Sequence, residues 1–362
     1  MSDPVSVPPW SEPVRGGHPD PASFGLTGVE QLRAALAGCQ PSPPLAYLTG
    51  TRLIEVGIGS AVFEMPLSGW LRAPQGGISI GPLAIVADAA LGCAVQSGLP
   101  AATPFTTSEL SLRLLAPAPP GGSAVARGEL IHARRRIALA GVSVTDAHGR
   151  LLAHGSSLCF VLPQLSPLPE PPVWLEHPAS AAYDTPDPWE RVPQGEIVSQ
   201  DVWDRLTGLE VLRAHLAGEF GAGPPIGHLT GLRLTGASER TATFAMPASQ
   251  WLCAPPPGRV AGGAVALLAE TALSAAIQTT LPVRTALAPI DLKVNYLRPL
   301  ASDGREATAR GTVAHAGRRI VVAHAEVDDA DGKAIALATG SAMILPGRAA
   351  SPASVHDTTP ND

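Results

Sequence analysis

Two acidic side chains stand in the middle of apolar stretches that carry no other charge: Asp88 in GPLAIVADAALGCAVQSG and Glu270 in GGAVALLAETALSAAIQT. Burying a carboxylate is costly because desolvation disfavours its charged form, so a pair of them at equivalent places points to use, or to satisfaction at a cleft. Such a group can act as a base or as a nucleophile. Each stretch also carries a glycine at its start, Gly81 and Gly263. There the first turn of a helix leaves N–H groups unpaired with no side chain in front of them, and these can stabilise a developing oxyanion. Within one helix, seven residues separate glycine from acid, roughly 10 Å along the axis at 1.5 Å per residue. One helix therefore cannot bring both groups to a single carbonyl. Two helices packed antiparallel can, with Gly81 facing Glu270 and Gly263 facing Asp88. Ser274 follows Glu270 by four residues on the same helix face, where it would orient the carboxylate or an attacking water; its counterpart is Gly92. The sequence thus favours the Gly81/Glu270/Ser274 site as the better equipped of the two.

The elements that must position these groups occur twice. LTGVEQLRAALAG at 26–38 returns as LTGLEVLRAHLAG at 206–218 with ten of thirteen positions identical. MPLSGWLRAP (65–74) returns as MPASQWLCAP (246–255), IHARRRI (131–137) as AHAGRRI (314–320), and FVLP (160–163) as MILP (343–346). Each copy reads as a short amphipathic helix ending at glycine, two strands about a tight turn, one unusually apolar helix and three or four alternating strands. Strands before and after one central helix, without βαβ alternation, predict an α+β fold with an antiparallel sheet. A helix apolar nearly all round must be covered on most sides, which a sheet curled about it would do. The expected domains are 26–163 and 204–346. Residues 1–25 and 347–362 are expected to be disordered, and 164–203 to be a Pro-rich connector.

Composition narrows the function. The 362 residues hold 31 acidic and 25 basic side chains, a net charge of −6, without a block of like charge, so no nucleic-acid or anionic-membrane footprint is expected. Four cysteines without a CxxC pair suit a reducing compartment, and no signal peptide or membrane span is read, so the expected location is the cytoplasm. Ten histidines show no HxxxH or HExxH spacing, and no metal is expected.

On AGGAVALLAET with Gly262, Gly263 and Glu270, IGPLAIVADA with Gly81 and Asp88, the strand DLKVNYLRP and the HAGRR and DADGK turns, the chain resembles tandem hotdog-fold acyl-CoA thioesterases of the PaaI-like type. The resemblance covers about 26–163 and 204–346. It implies two hotdog domains forming a pseudo-twofold intramolecular dimer, which can assemble further into a homo-oligomer. The implied activity is hydrolysis of an acyl-CoA thioester, with a helix carboxylate as base or nucleophile and helix-start amides as oxyanion hole. No cofactor is implied, CoA being part of the substrate. Arg135, Arg136, Arg298, Arg318 and Arg319 are the implied CoA-phosphate contacts, since guanidinium forks suit phosphates. Leu83, Trp251 and Tyr296 are implied for an apolar acyl pocket. The family pattern has His-Gly-Gly before the helix and an upstream Asn or Gln; here Ala261 or Ser79 takes the histidine place, and Ala73 or Pro255 the amide place.

Two other readings compete. Gly77-Ile78-Ser79-Ile80-Gly81 matches the GxSxG nucleophile elbow, but RAPQG precedes it in place of the buried strand that motif requires. The other alternative is a degenerate hotdog protein that binds acyl-CoA or another apolar ligand without turnover, favoured by the missing His and Asn and opposed by a carboxylate in both copies.

Overall fold

The computed structural model describes residues 7–170, 183–221 and 223–348. The first half contains α1 (Gly28–Leu36), α2 (Pro44–Thr49), β1 (Arg52–Gly57), β2 (Ser60–Pro66), α3 (Ile80–Ser97), β3 (Phe105–Leu114), β4 (Ser123–Arg134), β5 (Ile137–Asp146) and β6 (Leu151–Val161). After the one-turn α4 (Gln200–Trp203), the second half repeats the order. It runs α5 (Gly208–Leu216), α6 (Pro225–Thr230), β7 (Arg233–Ser238), β8 (Thr241–Pro247), α7 (Gly262–Gln278), β9 (Thr285–Tyr296), β10 (Glu306–Ala316), β11 (Ile320–Asp328) and β12 (Ala334–Pro346).

Local chemistry sets the element ends. Glu30 and Glu210 reach back to accept the N–H of Thr27 and Thr207 at 2.8 Å, closing the start of α1 and α5. The helices α2 and α6, which the periodicity did not reveal, begin at proline and stop at Gly50 and Gly231, both in the left-handed region at φ 75° and 79°. Proline at the first helical position gives up no bond, and glycine takes positive φ without a Cβ penalty.

All twelve strands join one antiparallel sheet, ordered β1-β2-β4-β5-β6-β3-β9-β12-β11-β10-β8-β7. The halves meet at β3 and β9, where Leu110 pairs with Val294 and Leu112 with Leu292. Strand alternation turns Ala138, Ala140, Val142 and Val144 of β5 inward, all at most 1% exposed, against α3. This is the sheet wrapped around an apolar helix, twice over, that the hotdog resemblance implies. By length and hydropathy α3 could cross a membrane, but 72% of it is buried within the fold, as a core helix requires.

The helices α3 and α7 pack antiparallel across the pseudo-twofold. A Cβ on Gly263 would lie 2.6 Å from Ile85 Cα, and one on Gly81 would lie 3.2 Å from Leu267 Cα. Only glycine permits this approach, which brings the start of each helix against the middle of the other.

Residues 7–25, expected to be disordered, carry 3-10 turns at Pro9–Ser11 and Pro21–Gly25 and hydrogen-bond to both halves, through Ser42 and Ala102 of the first and Trp251 of the second. Tryptophan and proline pack well without periodicity, so the absence of a repeat pattern did not mean the absence of contacts. The disorder expected of residues 1–6 and 349–362 falls outside the described residues.

Candidate active site

Each central carboxylate meets the first turn of the other half's helix. Asp88 Oδ2 accepts the backbone N–H of Gly263 at 2.8 Å. Glu270 accepts the hydroxyl of Ser79 at 2.9 Å on Oε2 and that of Ser274 at 2.7 Å on Oε1, and also the N–H of Gly81. The two pairings expected from the spacing, Gly81 with Glu270 and Gly263 with Asp88, are both present. Ser274 bonds Glu270 as its i+4 position implied. Ser79, which the GxSxG match flagged, sits at the N-cap of α3 after a turn and not after a strand, with its hydroxyl committed to Glu270.

The two sites differ in how much room they leave. Glu270 is 4% exposed, and its oxygens face donors from both halves. Asp88 is half-buried and accepts one backbone amide. The residue before the amide-donating glycine is fully buried Ile80 at the Glu270 site, but Gly262 at the Asp88 site. A Cβ placed on Gly262 would stand 3.1 Å and 3.3 Å from the two Asp88 oxygens and 3.3 Å from Tyr296 Oη. The absence of a side chain at Gly262 thus lets the α7 backbone approach the carboxylate closely. On the α3 side, where Ser274 reaches Glu270, Gly92 has nothing within 4 Å of a Cβ position.

Burial moves the ionisation of both acids. It pushes the Asp88 carboxyl from 3.8 up to about 6, with the Gly263 N–H pulling the other way. Glu270 is also raised by burial, opposed by Ser274, Ser79 and Gly81. Burial, with the Asp88 charge second, pushes the Cys93 thiol up to about 12 and the Tyr296 phenol well above its ordinary value. Both are neutral at physiological pH. The Tyr296 hydroxyl donates to the Gly262 carbonyl at 2.9 Å, pinning the first turn of α7 beside Asp88.

The remaining expected site residues divide by location. Leu83 and Trp251, expected in an acyl pocket, are 0% exposed and belong to the core, whereas the Tyr296 hydroxyl lies beside Asp88 at Gly262. Arg135 and Arg136 form the β4–β5 tip, Arg318 and Arg319 the β10–β11 tip, all exposed. Arg298 is exposed and donates to the Ala334 carbonyl at 2.8 Å. The sequence reading passed over Ser79 as a partner of Glu270 and Gly262 as an opening before Asp88. Both were signalled by differences between the copies, Ser79 against Ala261 and Ile80 against Gly262.

Two curled sheets, two central helices and two composite acid–amide sites across a pseudo-twofold define a double-hotdog protein. The family model of the thioesterase superfamily matches residues 76–153 and 257–336, once in each half. Each half therefore carries a region similar to that superfamily's model, set on a tandem hotdog fold. Among solved structures, it is similar to the tesB protein of Mycobacterium avium subspecies paratuberculosis, with a TM-score of 0.51 and 14% identity over 84% of this chain and 98% of that one. It is similar too to a hotdog-fold protein of unknown function from Alicyclobacillus acidocaldarius, with a TM-score of 0.50 and 15% identity over 83% and 97%. At these identities the likeness establishes the fold. No curated protein matches the sequence.

Proposed function

We propose that the chain hydrolyses acyl-CoA thioesters at a single working cleft, formed by Asp88 of α3 with Gly262, Gly263 and Tyr296 of the other half. The observation that carries this reading is the 2.8 Å contact between Asp88 and the Gly263 N–H, at an acid that is half-buried where Glu270 is 4% exposed. A carboxylate with a folded-state value of about 6 is ionised above that pH and basic enough to take a proton from water. Glu270, fully partnered and facing Ile80 in place of a second glycine, is the structural counterpart. This reading differs from the order of the two sites favoured on sequence, because two hydroxyls hold Glu270, one on each oxygen, where Asp88 is held by a single amide.

In the proposed reaction the thioester carbonyl enters in front of Gly262 and takes the Gly263 N–H that Asp88 accepts in its absence. Water attacks the carbonyl carbon while Asp88 removes one of its protons. The oxyanion so formed is held by the amides of the α7 first turn, whose partial positive charge favours it. Collapse breaks the C–S bond, and the proton on Asp88 passes to the departing thiolate. The products are a carboxylic acid and free CoA thiol, with Asp88 restored.

For the CoA phosphates we assign Arg135 and Arg136. They follow β4 and lie just before Ala138, which pairs with Cys159, a thiol that feels the Asp88 charge. The substrate is thus a small molecule, and a cytosolic setting is proposed, in keeping with four free cysteines. The test is free-thiol release from a panel of acyl-CoA esters by wild type, Asp88→Asn and Glu270→Gln. The expected result is a loss of about 10²-fold or more for Asp88→Asn and retained turnover for Glu270→Gln. Loss with Glu270→Gln in a folded protein, and not with Asp88→Asn, would return the chemistry to the other site.

A further inference from the structure

The segments ahead of the two halves form a third repeat. Pro9-Trp10-Ser11-Glu12 precedes the first half and Pro188-Trp189-Glu190-Arg191 the second. Each makes a 3-10 turn, and each reaches a left-handed glycine four residues later, Gly16 at φ 79° and Gly195 at φ 100°.

These straps are exchanged. Trp10, ahead of the first half, packs on the second: a Cβ on Gly231 would lie 3.0 Å from its ring and 2.5 Å from Pro247. Trp189, ahead of the second half, packs on the first, where a Cβ on Gly50 would lie 2.8 Å from its ring and from Pro66. Trp251 of the second half donates its indole N–H to the Glu12 carbonyl at 2.9 Å, and Trp70 of the first half donates to the Arg191 carbonyl at 3.0 Å. The straps then cross, Glu12 and Arg191 forming a two-point ion pair with side chains 20% and 24% exposed.

A short chain of bonds links this crossing to the Asp88 cleft. Trp251 lies in the 3-10 turn Gln250–Leu252, and the Leu252 carbonyl accepts the N–H of Ala261 at 2.9 Å. Ala261 is the N-cap of α7, so the next two residues are Gly262 and Gly263. We propose that the exchanged first strap is a positioning element for the cleft: Glu12 and Trp251, locked by Arg191, fix the first turn of α7 at the distance from Asp88 that the reaction requires. The proposal rests on the assignment of the working cleft to Asp88. None of the three residues touches substrate.

Charge reversal at the crossing tests it in the full chain. Glu12→Arg and Arg191→Glu each place like charges together, and the double variant restores an ion pair of reversed sense. Hydrogen exchange of the segment 252–264 reads the geometry without any substrate, and thiol release reads its consequence. In each single variant the amides of 252–264 should exchange about tenfold faster, and kcat should fall about tenfold with little change in KM, because misplacement of a positioned group costs rate more than binding. The double variant should return both to within about twofold of wild type. Glu12→Gln, which removes the charge without adding a clash, should give a smaller change of the same sign if Glu12→Arg fails to fold. Unchanged exchange at 252–264 while residues 7–16 exchange faster would overturn the proposal, as would failure of the double variant to restore it. If wild type releases no thiol from any ester, the functional reading fails and the exchange result still decides whether the strap fixes the turn.

Discussion

Asp88 and Gly263 lie 175 positions apart in sequence and share a hydrogen bond of 2.8 Å across the two halves of the chain. The equivalent contact in the other direction, Gly81 with Glu270, is embedded in two further serine hydroxyls. The two sites share a backbone plan and differ in the side chains that hold the acid.

Turnover should follow the ionisation of Asp88. Burial holds its carboxyl at about 6, so the base form disappears below that pH. The rate of thiol release is expected to rise through about pH 6 and level off above pH 7, in a profile of kcat/KM against pH. A profile flat from pH 5 to 8 would detach the reaction from this residue.

The same shift predicts a stability cost. An acid whose folded value exceeds its unfolded value binds more protons when folded, so its contribution falls as pH rises between 3.8 and about 6. The displacement corresponds to about 3 kcal/mol at neutral pH. Asp88→Asn should therefore melt above wild type at pH 7 and converge with it near pH 4, as followed by circular dichroism.

Gly92→Ser places at the Asp88 site the hydroxyl that Ser274 supplies to Glu270, and the volume there is open. A hydroxyl donated to the carboxylate favours its charged form. The expected outcome is an inflection of the pH profile moved to lower pH, with the fold intact.

Glu270 should matter to stability more than to turnover. Glu270→Ala leaves the Ser79, Ser274 and Gly81 donors without their acceptor and opens a cavity between the halves, a cost of about 3 kcal/mol. Glu270→Gln keeps an acceptor and should cost less. Urea midpoints at constant slope would measure both.

Gly263→Ala tests the helix crossing. The new Cβ would meet Ile85 Cα at 2.6 Å and the Ala84 carbonyl at 2.8 Å, both backbone atoms that cannot step aside. The helices must separate, so stability and thiol release should fall together. Gly262→Ala, whose Cβ would crowd the Asp88 oxygens at 3.1 Å and 3.3 Å and Tyr296 Oη at 3.3 Å, all side-chain atoms, should reduce release with a smaller loss of stability than Gly263→Ala.

Much of the architecture was legible because duplication reads as identity at a fixed offset, and because a helix apolar on every face has few places to lie. The acid–amide pairs followed from the 1.5 Å rise, which rules out a site within one helix. That Ser79 shares Glu270 with Ser274, one hydroxyl on each carboxylate oxygen, was not legible, because the two serines lie in different halves of the chain. The straps were hidden because a run such as PPWSEPVRGG carries no helix or strand period, and the Glu12 partners Arg191 and Trp251 are 179 and 239 positions away. The hydrogen bond from the Trp251 indole N–H to the Glu12 carbonyl, 239 positions away, was likewise not legible.

The seam between β3 and β9 has a consequence for how such a protein can change. In an assembly of two identical chains every substitution appears on both sides of the axis, so neither lobe can specialise. Here a covalent connection keeps the partners together at any dilution. Asp88 and Glu270 can therefore diverge, as their partners already have, a lone amide for one and two serine hydroxyls for the other.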